Sequence, residues 1–279
     1  FNNAGSIFNT SGAGNAGNLS LTTPKLIVTN NGFVSATTFT EGDAGNLSID
    51  AASIAVEQNA QIIADVFPSS NGVGGNLTIS TENLDVNSGG QISASTLGDG
   101  DAGNLSIDAA NSVAISGRDS DFNTGWFVVA FNGEGRGGEL DINTQDLSIA
   151  DGGTINVGNF PDLTSSQSPG IGEPGNLTIL ADSISLENDA SINASTRSPI
   201  GEGANINLIS EDITLDNNAL ISARAFEEAD GGNLNIESGF ILAFPNGNND
   251  IVARAEQGNG GQITIDTEAI FGLEERVSE

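Results

Sequence analysis

Apolar residues along this chain come in pairs separated by one polar residue, and the pairs themselves recur. The sharpest pattern is the tetrad N-L-[ST]-[IL], which starts at Asn18, Asn46, Asn76, Asn104 and Asn176. Looser versions start at Glu139 (ELDI), Asn205 (NINL), Asn233 (NLNI) and Gln262 (QITI). A second pair begins eight residues after the Asn, as in Ile54/Val56, Leu84/Val86 and Ile213/Leu215. A third begins sixteen residues after it, as in Val34/Ala36, Ile62/Ala64, Ile92/Ala94 and Ile221/Ala223. Successive tetrads are 28, 30, 28, 35, 37, 29, 28 and 29 residues apart. The period is therefore close to 29, with insertions at residues 116–126 and 158–175.

Alternation of period two over three or four residues predicts short strands. No stretch sustains a 3.6-residue period, and Gly, at 37 of 279 residues, is too frequent for helix. Three short strands per unit, punctuated by Gly, Asn, Asp and Ser, do not read as hairpins, whose strands are longer. They read as one circuit of a coil in which each strand pairs in parallel with its copy in the next unit. The predicted fold is an all-β, right-handed parallel β-helix of about nine coils, one domain over residues 1–279. The hand follows the general rule for parallel crossovers.

Residues one period apart in sequence then lie ~4.8 Å apart in space. Inward Leu and Ile form columns, and the Ala of the third pair marks a corner of close approach. Asn18, Asn46, Asn76, Asn104, Asn176, Asn205 and Asn233 are expected to form an amide ladder, side chain to side chain. The Gly before the tetrad (Gly17, Gly45, Gly75, Gly103, Gly175, Gly232) is expected to supply a positive φ at a tight corner. Glu139 and Gln262 interrupt the Asn row, which predicts a weaker ladder at Glu139. The chain opens in what reads as a third strand (Ser6–Thr10) and closes in a second strand near Ile270. Such open ends suit further coils or end-to-end self-association.

Composition narrows the functional classes. There is no Cys, Met, His or Tyr and one Trp. A chain without Met reads as a mature or excised piece of a longer one. Without Cys there is no disulfide framework, thiol catalysis or Cys-ligated zinc; without His the Ser-His and Cys-His nucleophile arrangements are absent. Thirty-seven acidic residues against seven basic ones give a net charge of −30, which disfavours nucleic acid and anionic membrane as partners. No apolar run reaches the ~18 residues of a membrane-spanning helix. G-x-G-x-x-G matches such as Gly133–Gly138 have no helix after them and do not read as a phosphate cradle.

The tetrads GGNLTI and AGNLSI, the strand GGQISAST (Gly89–Thr96) and the stretch NDIVARAEQGNGGQITIDTEAIFGLEER (Asn249–Arg276) resemble the cyanobacterial filamentous-haemagglutinin-like exoproteins, over essentially the whole chain. That resemblance implies a right-handed β-helix, two-partner secretion through an outer-membrane transporter, and a structural or adhesive role at the cell surface. The N-terminal secretion domain of such proteins, with its NPNG-type motif, has no counterpart here; FPNGNN (Phe244–Asn249) is a superficial echo in the wrong place.

Candidate chemistry sits in the departures from the period. The insertions belong to adjacent coils and are expected to meet on one flank, where Phe122, Trp126, Phe127, Phe131 and Phe160 would form an aromatic platform for a surface polysaccharide. The alternative for Trp126 is that it fills the core. The acidic turns EGDAGN and LGDGDAGN make Asp43, Asp99 and Asp101 weak calcium candidates, with no other cofactor expected, because the spacing matches neither an EF-hand nor the nonapeptide calcium repeat. Arg224 and Arg254 are expected to stack outward one coil apart, where like charges repel unless an acidic neighbour intervenes; because parallel β-helix polysaccharide lyases use an Arg base, an enzyme has to be considered. The acidic surface nevertheless argues against a polyuronate substrate. The sequence thus reads as a non-catalytic secreted scaffold, with a carbohydrate-binding or polysaccharide-processing β-helix as the alternative.

Overall fold

The computed structural model describes residues 14–39, 41–67, 71–118, 124–131, 134–159, 172–198, 201–226, 228–245 and 247–274. Every strand pairs in parallel with the equivalent strand of the coils before and after it. One sheet has nine strands of nine to twelve residues, such as Leu47–Glu57, Leu77–Asn87 and Leu177–Glu187. The other has eight strands of three to five residues, such as Gln91–Ser93, Gly125–Val129 and Thr154–Gly158. A third line of contact is made by single bridges, Thr38 to Val66 to Thr96 to Ala130, and Thr196 to Ala225 to Ala255. The predicted β-solenoid of ~29-residue coils is what the chain forms.

The first two of the three strands predicted per coil run on as one. In Leu47–Glu57 the inward residues are Leu47, Ile49 and Ala51, then Ile54 and Val56. Strict alternation would place Ser53 and Ala55 inside. One extra residue, Ala52, is exposed and turns the chain through a corner, so the inward phase shifts while the backbone stays extended.

The next corner, between the long and the short strand, is made by a doublet of left-handed residues. Asn30/Asn31, Gln58/Asn59, Asn188/Asp189 and Asn217/Asn218 have φ between 50° and 66°. Gly89 and Gly152 take the second place in two coils. Most side chains resist this region by about 1–2 kcal/mol, and Asn, Asp and Gly resist it least.

The interior is one apolar column. It runs from Leu26 to Ala243, with Leu19 and Leu21 partly buried at one end and Ile251, Ile265 and Leu273 at the other. No single coil could bury such a face alone. Each fully buried Leu, Ile or Val contributes roughly 1.5–3 kcal/mol only because a like side chain lies above and below it. The Ala of the third pair sits where expected: the Ala36, Ala64 and Ala94 carbonyls accept the Gly45, Gly75 and Gly103 N–H groups at 2.8–3.0 Å, closing the narrow apex of the coil.

Because contacts reach only adjacent coils, whole coils are removable units. Deletion of residues 46–75, which joins Gly45 to Asn76, is expected to leave a folded solenoid shorter by ~4.8 Å. Circular dichroism per residue should match the parent. Deletion of half a coil, residues 46–60, should abolish the cooperative unfolding transition.

Candidate functional site

Each coil returns to the long strand through the G-x-x-G-N corner, and the Asn there does a different job from the one expected. Asn18, Asn46 and Asn76 each accept, through Oδ1, the backbone N–H of Asn46, Asn76 and Asn104 on the next coil, at 2.8–3.0 Å. Asn104 accepts from Glu139, Asn205 from Asn233, and Asn233 from Gln262, all at 2.9 Å. The ladder is therefore side chain to backbone. Only Asn205 Nδ2 to Asn176 Oδ1, at 3.1 Å, joins two amides of this row. The cause lies in the backbone. The Asn carbonyl already accepts the N–H of the preceding coil's first strand residue, as Asn46 does from Leu19, but the turning chain carries the Asn N–H away from any carbonyl. The side chain below takes it. A side-chain ladder lies instead at the left-handed corner, where Asn188 Nδ2 donates to the Asp151 carboxylate and Asn217 Nδ2 to the Asn188 amide oxygen, both at 2.9 Å, and Asn218 Nδ2 to the Asp189 carboxylate at 3.1 Å.

The glycines at this corner are also corrected. Gly45, Gly75, Gly103, Gly175 and Gly232 do not have positive φ. They are required because the coils touch there backbone to backbone: a Cβ on Gly75 would lie 2.0 Å from the Gly45 carbonyl oxygen, and one on Gly103 2.0 Å from that of Gly75. A second column, Gly42, Gly72, Gly100, Gly135 and Gly172, meets the same obstacle, and together they account for the recurring G-x-x-G-N. Ala204 alone departs from Gly in the first column.

The aromatic platform is not assembled. Trp126 is fully buried, in the inward row between Ile92 and Ile155 of the neighbouring coils, with its indole N–H unpaired. The ring takes an Ile position in the core. Phe131 is half-buried in a column with Phe67 and Leu97, and Phe39 stacks on Phe67 with centroids 4.6 Å apart. Phe122 and Phe160 lie outside the described residues. The insertions do not share a flank at their bases. They leave from opposite ends of two adjacent short strands, one before Gly125–Val129 and the other after Thr154–Gly158. Asn159 pins the second: buried, it accepts from Thr196 Oγ1 at 2.5 Å and donates to the Gly172 carbonyl at 2.6 Å.

The calcium candidates stand apart. Asp43 and Asp101 are two coils apart and spend Oδ1 on the backbone N–H groups of Val73, at 2.9 Å, and Arg136, at 2.8 Å. Asp99 is exposed. Among the described residues no three carboxylates come together as a metal site. Arg224 and Arg254 do lie in register on successive coils, each preceding a bridged Ala.

Two features were not read from the sequence. The first is Asp65, buried on the third face, where Oδ1 accepts the Ser95 N–H at 2.7 Å and the Ser93 hydroxyl at 2.8 Å. Burial raises its carboxyl from 3.8 to about 6, against the pull of those two bonds. The second is an open groove of about 470 Å³ on the outward face of the long sheet, lined by Glu139, Asp141, Thr178, Asn207, Asn235 and the Asn176–Asn205–Asn233 row. Its signal was the residue two places after each tetrad Asn, hydroxyl- or amide-bearing in nearly every coil, which was read only as the polar half of the strand's alternation.

No family model, no curated protein and no solved structure matches the chain.

Two outcomes follow from this geometry. Glu139 offers no acceptor to the Asn176 N–H, so Glu139→Asn should raise stability to urea by about 1 kcal/mol, one backbone hydrogen bond regained. The folded state holds the Asp65 proton more tightly than the unfolded state, so this group favours folding below the unfolded pKa and loses that benefit as pH rises through about 6. Asp65→Asn should therefore match the parent at about pH 4 and exceed it at about pH 8 by on the order of 2 kcal/mol in urea titrations.

Proposed function

We propose that the chain is a non-catalytic, stiff segment of a large secreted exoprotein, exported by two-partner secretion and displayed at the cell surface as a scaffold or adhesive stalk. The observation that carries the reading is the unbroken axial column, in which side chain, glycine and corner residue alike stack on their own kind for some eight coils. That construction yields a rod resisting bending. The carboxylates the sequence offers for chemistry, Asp43 and Asp101, are committed to backbone donors, and the groove of the long sheet is open to solvent rather than enclosed. No helix among the described residues is long and apolar enough to cross a membrane. The family resemblance of the G-x-x-G-N-L-[ST]-I coils and of Asn249–Arg276 supports the export route.

The test is surface labelling. Antibody raised against the chain should decorate intact source cells, and deletion of the outer-membrane transporter should remove that labelling. Signal seen only after lysis overturns the reading. Release of unsaturated sugars from polyuronate by the purified chain would overturn its non-catalytic part.

A further inference from the structure

The column that holds Asp65 on the third face changes its chemistry farther along the rod. Where it carries Asp65 and Ser95, the Asp65 carboxylate accepts the Ser95 N–H. On three later coils it carries Ser195, Arg224 and Arg254, consecutive in register. The Arg224 carbonyl accepts the Thr196 N–H at 2.9 Å, and the Arg254 carbonyl accepts the Ala225 N–H at 2.8 Å. Those bonds set the three residues one coil apart, ~4.8 Å. Arg224 is half-buried and points outward between the buried Ala223 and Ala225, and Arg254 is exposed. In the next outward column Arg197 lies over the Phe226 ring, 5.7 Å from its centroid. Three of the seven basic residues of the chain thus gather on one corner.

Two arginines stacked one coil apart repel each other. An acidic neighbour was expected between them, and the structure does not supply one. Glu228 and Glu256 are exposed on the same corner, yet neither pairs with Arg224 or Arg254. Glu256 stands in the column of Arg197 and Phe226, diagonal to Arg224, which is a separation of about 7–8 Å. Asp230 is committed to the Asn259 N–H at 2.7 Å, and Glu227 lies outside the described residues. Arg224 Nε is buried and has no acceptor among the described residues, and the Ser195 hydroxyl has no partner there either. A buried donor left without an acceptor is destabilising, so this arrangement asks for an anion.

We propose that Ser195, Arg224 and Arg254 form a site for a tetrahedral oxyanion, phosphate or sulfate. Their donors stand at three heights along the rod axis. A planar carboxylate fills one guanidinium fork, whereas a tetrahedral group has oxygens left for a second fork and a hydroxyl. Its charge offsets the repulsion between the two arginines, and one of its oxygens gives Arg224 Nε an acceptor. The net charge of −30 is spread along the rod, and charges more than ~8 Å away are largely screened at physiological ionic strength. A small ion therefore meets the charges of this corner, while a long polyanion meets those of many coils. The site lies beyond the scaffold reading, and neither depends on the other.

Calorimetric titration of the chain with inorganic phosphate, sulfate and acetate, at fixed ionic strength, tests it. Saturable binding of phosphate or sulfate is expected, with a Kd of about 1 mM or tighter and acetate at least about tenfold weaker. Arg224→Gln and, separately, Arg254→Gln should each weaken it about tenfold or more. Arg224→Lys keeps the charge but loses the fork, and should weaken it as well. Arg136→Gln, at an arginine of another coil that pairs with Glu173, should leave affinity unchanged. Each variant removes or alters an outward side chain, so the melting temperature without anion should hold. Glycerol phosphate separates the sources of the group: binding tighter than that of free phosphate assigns the site to an esterified ligand, and equal or weaker binding assigns it to the free ion. Acetate bound as tightly as phosphate, binding indifferent to both Arg→Gln variants, or no saturation by about 10 mM anion would each overturn the site.

Discussion

In-register parallel pairing is the constraint from which the rest of this molecule follows. Each residue takes its backbone hydrogen bonds from its own equivalents one coil up and one coil down. The operation relating successive coils is therefore close to a pure translation of ~4.8 Å. Whatever stands at one position must tolerate a copy of itself at that distance on both sides. Leu and Ile tolerate it by packing, which builds the core. Glycine is demanded where backbone meets backbone, as at Gly72 over Gly42 and Gly75 over Gly45. Acidic side chains tolerate it poorly; in one outward row Asp50 and Asp108 are separated by Ser80, although Glu187 lies beside Asp216 and Glu237 beside Asp266.

Corners are where this scheme is hardest to satisfy. A strand in mid-sheet has a partner for every N–H, but a chain that turns points some of its groups along directions the next coil cannot meet. Two corners solve this in different chemistry. At G-x-x-G-N an Asn carboxamide oxygen replaces the missing carbonyl, repeated at Asn18, Asn46, Asn76 and Asn104. At the left-handed corner the backbone still pairs, Asn31 N–H to the Gln58 carbonyl at 2.9 Å and Asp189 N–H to that of Asn217 at 2.9 Å. There the demand falls on φ instead, and Asn, Asp and Gly meet it. The same residue type serves both corners for different reasons.

That ambiguity explains which parts of the structure were legible in the sequence. The inward rows were, because period two inside period 29 has one physical solution, and every third-pair residue from Val34 to Ala223 named from it is buried. The corners were legible as positions but not as mechanisms. Gly45 and Gly75 read as left-handed residues when the true left-handed residues were the Asn and Asp doublets twelve residues after the tetrad, because both roles select small or amide side chains. Trp126, which follows an insertion, was left between an aromatic platform and the core, and the structure puts it in the core. Register across the sheet, not sequence spacing, places it opposite Ile92, and a step of 35 residues leaves that register intact. Asp65 was invisible: its burial depends on Ser93 and Ser95 of the next coil, and nothing in a single coil's pattern marks an outward place as covered.

The same register argument locates where a solenoid of this kind can acquire specificity. The inward rows, the glycine columns and the left-handed doublets are bound by their copies, so a change in one coil strains its neighbours. The insertions escape because they leave the sheet before Gly125 and after Gly158 and return without shifting it. The outward positions of the long strand escape as well, since their side chains point to solvent and meet their copies only through mild cross-strand contacts. These positions alone vary from Ser and Thr to Asp, Asn and Leu without disturbing the fold. The exposed apolar pair there, Leu180 beside Ile209, is not required by the column. It is an independent property of two coils, carried by a scaffold that holds it at a fixed spacing.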